Sequence, residues 1–269
     1  MKKFILNLTY FIFIGFFLIL FYLFFIFNPN NYKDQIINYV SSKTKYDFTY
    51  NGEIQMSFFP TTKIIMPNIE LYKESSDSKN MMITISKTEL SVSLRKLMDD
   101  IVDVNYMRAS EFKYYGINAD DVLMKTYSLL KFSFFNTDQP NITTVKKMSG
   151  TANISGNTMK INDIYMETEM MEAKGSGTID MITKEVNFRM VGNLKEYENI
   201  ISSYRKKYPE ELVGEELPII ISGELNNLSI SIDLKHIIIK KVNPIKEKAI
   251  ETIKEKVIDD IKEKIKLPF

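Results

Sequence analysis

The sequence predicts a mainly β protein with flanking helices: an N-terminal transmembrane helix, a series of antiparallel strands, and a C-terminal amphipathic helix. Three observations predict it. Residues 4–27 carry no charge. Most of residues 46–234 alternate apolar with polar side chains, the period of a strand. From Pro244 onward, Ile and Val recur at steps of three and four, the period of a helix.

The chain has 269 residues, with 35 Lys+Arg against 34 Asp+Glu and a formal net charge of +1. That balance argues against a nucleic-acid binder, which needs a basic face. It argues equally against a disordered, highly charged tail. Cysteine is absent, which removes disulfide frameworks and thiolate metal sites. Gly and Pro number 10 and 8, too few for a low-complexity class.

Residues 4–27 would make a helix of roughly 36 Å at ~1.5 Å per residue, against a hydrocarbon core of ~30 Å. A cleavable signal peptide is the competing reading, but its apolar region is shorter and ends in a small-residue site. Here the run ends Phe24-Phe25-Ile26-Phe27-Asn28-Pro29. Lys2 and Lys3 favour a cytoplasmic N-terminus. The expectation is a single-pass inner-membrane protein with its bulk in the periplasm.

Asn28 to Asn31 breaks the helix, and Ile36, Ile37, Tyr39 and Val40 predict a short amphipathic helix over 32–45. Phe48 and Tyr50, then Ile54, Met56 and Phe58, alternate around Asn51-Gly52, a hairpin-type dipeptide. Ile64 and Met66 give way to Ile69 and Leu71 in the opposite phase. Met81, Ile83 and Ile85 occupy odd positions, and Leu90, Val92 and Leu94 even ones, so a bulge or turn belongs near 87–89. Val104, Tyr106, Phe112 and Tyr114 predict a further pair of strands.

Residues 120–135 suit either a helix (Val122, Leu123, Leu129, Leu130) or a strand (Tyr127, Phe132, Phe134). Residues 137–144 read as a linker. The second half predicts strands around Ile154, Met159–Met166, Gly175–Met181 and Val186–Met190, then a helix over 194–208 ended by Pro209. A final hairpin turns across Asn226-Asn227. Four segments result: 1–30, the N-terminus and anchor; 31–140 and 141–240, two β modules; 241–269, the amphipathic helix. Roughly a dozen strands at ~4.8 Å would make an unclosed sheet about 55–60 Å wide. Its apolar face must be covered by a second sheet, a helix or a ligand.

Catalytic and metal constellations are not apparent. His236 has no partners at ligand spacing. Asp99, Asp100 and Asp103 lack the alternation and turn glycine of a calcium loop. Gly175-Ser176-Gly177 precedes a strand pattern, unlike a phosphate loop. The sequence therefore implies no cofactor, no metal and no enzyme activity. The C-terminal helix has three readings: a cap on the sheet, a membrane-surface helix, or a coiled-coil contact.

Two stretches resemble the AsmA family of envelope proteins. The first follows the anchor: a short helix, Thr44-Lys45, an aromatic strand with Phe48 and Tyr50, Gly52, and a strand ending Phe59-Pro60, then Met66-Pro67-Asn68-Ile69-Glu70-Leu71. Lys45 stands where the family commonly has glycine. Residues 80–97 resemble the next element. The second stretch is Gly175-Ser176-Gly177-Thr178-Ile179-Asp180, then Leu217-Pro218, the Ser222-Gly223 step, and a closing strand with Asp233. Asn227 sits where proline is frequent.

The resemblance implies a curved β-sheet with an apolar inner groove and two AsmA-like β modules. It implies phospholipid transport or outer-membrane homeostasis, with phospholipid acyl chains as ligand and envelope proteins as possible partners. The alternative is a chaperone-like factor for outer-membrane protein assembly, which would accept clients by strand addition. Candidate groove residues are Ile83, Ile85, Val92, Leu94, Ile219, Ile221, Ile230 and Ile232. The competing reading is that these side chains pack against a second sheet or a helix.

Overall fold

A computed structural model describes residues 2–22, 28–58, 61–74, 79–93, 102–131, 139–200, 204–205, 208–234 and 237. Helix α1 runs Lys2–Phe21, and Phe4, Phe11, Phe13, Phe16, Phe17 and Leu18 are exposed on it. Its uncharged part, 4–21, is ~27 Å long at ~1.5 Å per residue, short of a ~30 Å hydrocarbon core. Among the described residues no helix is long and apolar enough to cross a membrane. Of the expected span, 4–27, the described helix takes in 4–21, and residues 23–27 lie outside the described residues.

Asn28 caps a short 3-10 turn, Pro29–Tyr32, by accepting the Asn30 N–H at 2.9 Å. Asn30 in turn clamps the start of the sheet. Its Oδ1 accepts the Ile54 N–H at 2.7 Å, and its Nδ2 donates to the Ile54 carbonyl at 3.0 Å. Helix α2, Lys33–Thr44, follows where helical spacing predicts it, with Asp34 in its first turn and Lys43 in its last, both favourable to the helix dipole. Lys45, in the left-handed conformation at φ 56, ends it. That position favours glycine, and lysine holds it here. Ile36, Ile37 and Val40 pack on Phe48, Tyr50 and Ile54.

Strands β1 (Asp47–Tyr50) and β2 (Gln55–Ser57) both pair antiparallel with β3 (Thr62–Glu74). They form no hairpin across Asn51-Gly52. The Asn51 N–H donates to the Asn68 carbonyl, and Asn68 Nδ2 donates back to the Asn51 carbonyl, both at 3.1 Å. The chain therefore jogs at Gly52 (φ 113) and continues along the same neighbour instead of reversing.

After β3 come β4 (Lys79–Val92), β5 (Val102–Tyr115), helix α3 (Ala119–Leu130), β6 (Ile142–Ser155), β7 (Thr158–Glu167), β8 (Met171–Asp180), β9 (Glu185–Leu194), β10 (Leu217–Glu224) and β11 (Asn227–Ile232). They form one eleven-stranded antiparallel sheet, curved and unclosed. β3 to β11 are neighbours in chain order, with β1 and β2 at the β3 edge. β5 and β6, on either side of residue 140, pair directly.

The phase reversals visible in the sequence occur at one line across the sheet. Pairing steps from Pro67↔Lys87 to Ile69↔Ile85, leaving Asn68 (φ 43) opposite Ser86. On β5, Glu111 (φ 52) separates Ser110↔Lys147 from Phe112↔Val145. Ser86 Oγ donates to Glu111 across this line at 2.8 Å. Each strand thus keeps its apolar side chains on the same face on both sides of the irregularity. This is why residues 104–114 form one strand, not the predicted pair: the register shift between Val104 and Met107 and the positive φ of Glu111 change the phase without turning the chain.

Residues 120–135 resolve to a helix over their described start. Asn118 Oδ1 accepts the N–H groups of Asp120 and Asp121 at 3.1 and 3.2 Å, a side-chain N-cap. Among the described residues the helix predicted over 194–208 is not found. Leu194 closes β9, and the described residues beyond it include a 3-10 turn, Tyr197–Asn199. Ile200, Tyr204, Tyr208 and Leu212 have helix-like spacing and are buried. The last hairpin turns at Leu225-Asn226, since Glu224 pairs with Asn227, one residue before the predicted position.

Strands twist by roughly 20–25° per step, so the nine steps from β1 to β11 turn the far edge through about 180–225°. The tip of the last hairpin accordingly returns to the first half. Leu225 and Leu228 pack with Tyr46, Met82, Ile83 and Tyr114, and the Leu228 N–H donates to the Tyr114 hydroxyl at 3.1 Å.

Candidate functional site

Register resolves the inner face into rows of side chains. One rim row runs Val102, Ile154, Met159, Ile179 and Val186, each directly opposite the next. The next row runs Val92, Val104, Ala152, Ile161, Gly177, Phe188, Ile221 and Ile230. A third contains Ile164, Gly175, Met190, Ile219 and Ile232.

The sequence-predicted groove residues distribute over these rows. Val92, Ile221 and Ile230 share the second row and are half-buried. Ile219 and Ile232, paired in the third row, are buried. Ile83 and Ile85 lie beyond the phase line, opposite Tyr114 and Phe112. Ile83 is buried beneath the returning hairpin, and Ile85 packs at the same cluster. Leu94 lies outside the described residues, as do His236, Asp99 and Asp100. Spacing alone did not single out Val102, Ile154, Met159 and Ile179 as one row, because that depends on which strands are neighbours.

The inner face is buried at one end and half-buried at the other. Helix α3 packs against β6 and β11, with Leu123 and Met124 fully buried among Val104, Ala152, Phe188 and Ile232. At the opposite end Val102, Ile154, Met159 and Ile179 are half-buried, as are Leu90 and Met107 behind them. Inward glycines make room in between. A Cβ at Gly175 would lie 2.7 Å from Met190 Cα, and one at Gly177 would collide with the Phe188 ring and the Asn187 carbonyl.

A polar network locks the filled end. Thr168 Oγ1 donates to Asp120 Oδ1, and Tyr204 OH to Asp121 Oδ1, both at 2.7 Å. Asn118 Nδ2 donates to the Tyr204 hydroxyl and to the Pro140 carbonyl, each at 3.2 Å. Lys195 Nζ donates to Glu167 at 2.9 Å and to the Thr168 carbonyl at 2.7 Å. A cavity of about 420 Å³ lies beside this network, bordered by Lys113, Tyr115, Lys146, Asp120 and Tyr204.

Burial raises the Asp120 pKa to about 6, against the partial relief of its bonds from Thr168 and the Met170 N–H. Burial first, then the bond to Asp121, raises the Tyr204 phenol. Because the folded Asp120 pKa exceeds its unfolded value, folding takes up a proton between them. Stability is then fullest below about pH 4 and falls as pH rises to about 6, by ~3 kcal/mol at most. Glu89 and Glu167, lowered mainly by their bonds to Lys63 and Lys195, act with opposite sign and only as pH falls below the ordinary carboxylate range. Thermal unfolding from pH 4.5 to 6.5 should show the decline in the native protein and its absence in Asp120→Asn. The same slope in both would remove Asp120 as its source.

Among the described residues no group of three or more His, Cys, Asp or Glu is placed to hold a metal ion. Fold and site together define a curved, open antiparallel-sheet protein with one continuous apolar face. Residues 1–112 match the AsmA family, the family that the sequence resembles. The match takes in α1, α2 and β1 to β4, with most of β5; the second stretch that resembles the family, at 175–180 and 216–234, lies beyond it. Comparison with curated proteins gives no match.

Proposed function

We propose that this chain is a non-enzymatic, inner-membrane-anchored envelope protein whose half-open inner face accommodates phospholipid acyl chains, in lipid movement or outer-membrane homeostasis. The observation that carries this reading is the unbroken apolar face, half-buried at one end over β4 to β8. Hydrocarbon needs no specific polar partner: each buried CH₂ contributes ~0.8 kcal/mol. The exposed Phe, Ile and Leu side chains of α1 support an apolar environment for that helix, since water-exposed apolar patches of this size are uncommon. Asn30, clamped to Ile54, would hold the sheet close to such an anchor with few residues between them.

The assembly-factor reading requires free strand edges. The Phe48 N–H on β1 donates to Ser41 Oγ at 3.1 Å, and the Leu228 N–H on β11 to Tyr114. These side-chain caps at both edges weigh toward the lipid reading. Native mass spectrometry and lipid extraction of the detergent-purified full chain test it. Co-purifying phospholipid and uptake of a labelled phospholipid from vesicles are the expected results. Lipid-free protein that takes up no label would overturn the proposal.

A further inference from the structure

We propose that the tip of the β10–β11 hairpin is a movable gate on the inner face, and that hydrocarbon chains pass from the α2 side of that face to β6–β8 when it lifts. This rests on the lipid reading and adds a route to it. The apolar face runs through three connected clusters. Beside α2, Phe48 and Tyr50 pack with Leu71. Leu71 packs in turn with Tyr46, Ile83 and Tyr114. Leu225 and Leu228, from the hairpin, pack there and also in the core that holds Met159, Ile221 and Ile230. The tip therefore stands between the part of the face beside α2 and the half-buried part over β6 to β8.

Neighbouring strands are held by ladders of backbone pairs, whereas the tip rests on side chains. The Leu228 N–H donates to the Tyr114 hydroxyl at 3.1 Å, and Lys184 Nζ donates to the Lys43 carbonyl at the end of α2 at 3.4 Å. The Leu225 N–H donates to the Lys184 carbonyl at 2.9 Å, which ties the tip to the β8–β9 turn. Both leucines are half-buried. The two ends of the strand order, β1 and β11, are not paired with each other, so the tip can lift by added twist without parting a ladder. Segments with few buried contacts open at the lowest free energy, and a minor state a few kcal/mol above the major one is populated at ~0.1–10 %. The opposite wall is fixed: Leu123 and Met124 of α3 are fully buried, and Asp120 and Asp121 bond to Thr168 and Tyr204. Lifting the tip uncovers Tyr46, Ile83 and Tyr114 next to Ile230, a passage that suits hydrocarbon and not a polar solute.

The chain contains no cysteine, so introduced pairs report without background. Leu225→Cys is combined in turn with Met82→Cys and Ile83→Cys, and the full chain is reconstituted into phosphatidylcholine vesicles containing a photoactivatable phospholipid. Oxidation to a disulfide should lower the label on β6–β8 peptides at least tenfold while label on β1–β3 peptides persists, and reductant should restore it. Equal label on β6–β8 in the oxidised and reduced forms, an equal fall on both sets of peptides, or failure of both pairs to oxidise would overturn the gate. Absence of label from every strand of the reduced protein would remove the lipid reading itself, and the gate with it. A second measurement needs no lipid. Tyr114→Phe removes one hydroxyl and should speed maleimide labelling of Leu225→Cys about fivefold, the effect of losing one hydrogen bond. An unchanged rate counts against the gate whether or not lipid binds.

Discussion

Alanine at Gly177 is expected to destabilise the fold by about 2–3 kcal/mol, the upper part of the range for overpacking a filled core. The added methyl group would meet the Phe188 ring and the Asn187 carbonyl from β9. One of these is backbone, so rotating the ring cannot relieve the whole collision. Phe188→Ala alone removes a buried aromatic and should cost about 3–5 kcal/mol. The two effects share a contact, and the double variant should therefore be less destabilised than their sum by at least ~1 kcal/mol. Urea unfolding of the four proteins in the cycle measures this directly. Strict additivity would mean that Gly177 is not kept small by Phe188. The same logic explains the inward Gly150, Ala152, Ala173 and Gly175, whose small side chains leave depth for α3 and for the hollow beside it.

Alternation along individual strands was readable from the sequence because one face is apolar throughout. The residues of β9 show it most clearly, with Val186, Phe188, Met190, Gly192 and Leu194 buried and the residues between them exposed. The phase reversals at 67–69 and near 87 were readable for the same reason, and the structure sets them opposite each other, with one residue on each strand between Pro67↔Lys87 and Ile69↔Ile85. What could not be read was the identity of neighbours. Asn51-Gly52 has the composition of a hairpin turn, but Asn68 hydrogen-bonds Asn51 and holds both flanking strands to β3. Ile200, Tyr204, Tyr208 and Leu212 recur every four residues like a helix, yet their burial is set by the sheet beneath them and by Asp121, which is distant in sequence.

The candidate site divides along the same line. Val92, Ile221 and Ile230 were identifiable as inward-facing from local alternation, but their membership of one row depends on the chain of pairings from β4 to β11. The depth of the hollow depends on α3, in a segment whose residues fit two secondary structures equally well until Asn118 is seen to cap the helix. Asp120 gave no signal as a titrating group, because its burial is created by Thr168 and the backbone of 169–170.

Replacing Val92, Ile221 and Ile230 together by threonine should reduce phospholipid retention about 100-fold while the protein remains folded. Threonine keeps the β-branched shape that strands favour, and all three positions are half-buried, so the change in packing is small. The hydroxyls would face hydrocarbon without partners, at a cost of ~1 kcal/mol or more each, or about 3 kcal/mol in total. At ~1.4 kcal/mol per tenfold change, this corresponds to a ~100-fold loss of affinity. The matched control is Val191→Thr with Ile220→Thr, on the outer face of β9 and β10, where both side chains are already exposed. Labelled-phospholipid binding by the detergent-purified proteins, with unfolding curves run in parallel, separates the outcomes. The inner-face variant should lose binding with a midpoint close to that of the control. If both variants bind lipid like the native protein, lipid does not occupy this face. If the inner-face variant loses lipid only in proportion to lost stability, packing between strands and α3, and not contact with acyl chains, is what those three residues supply.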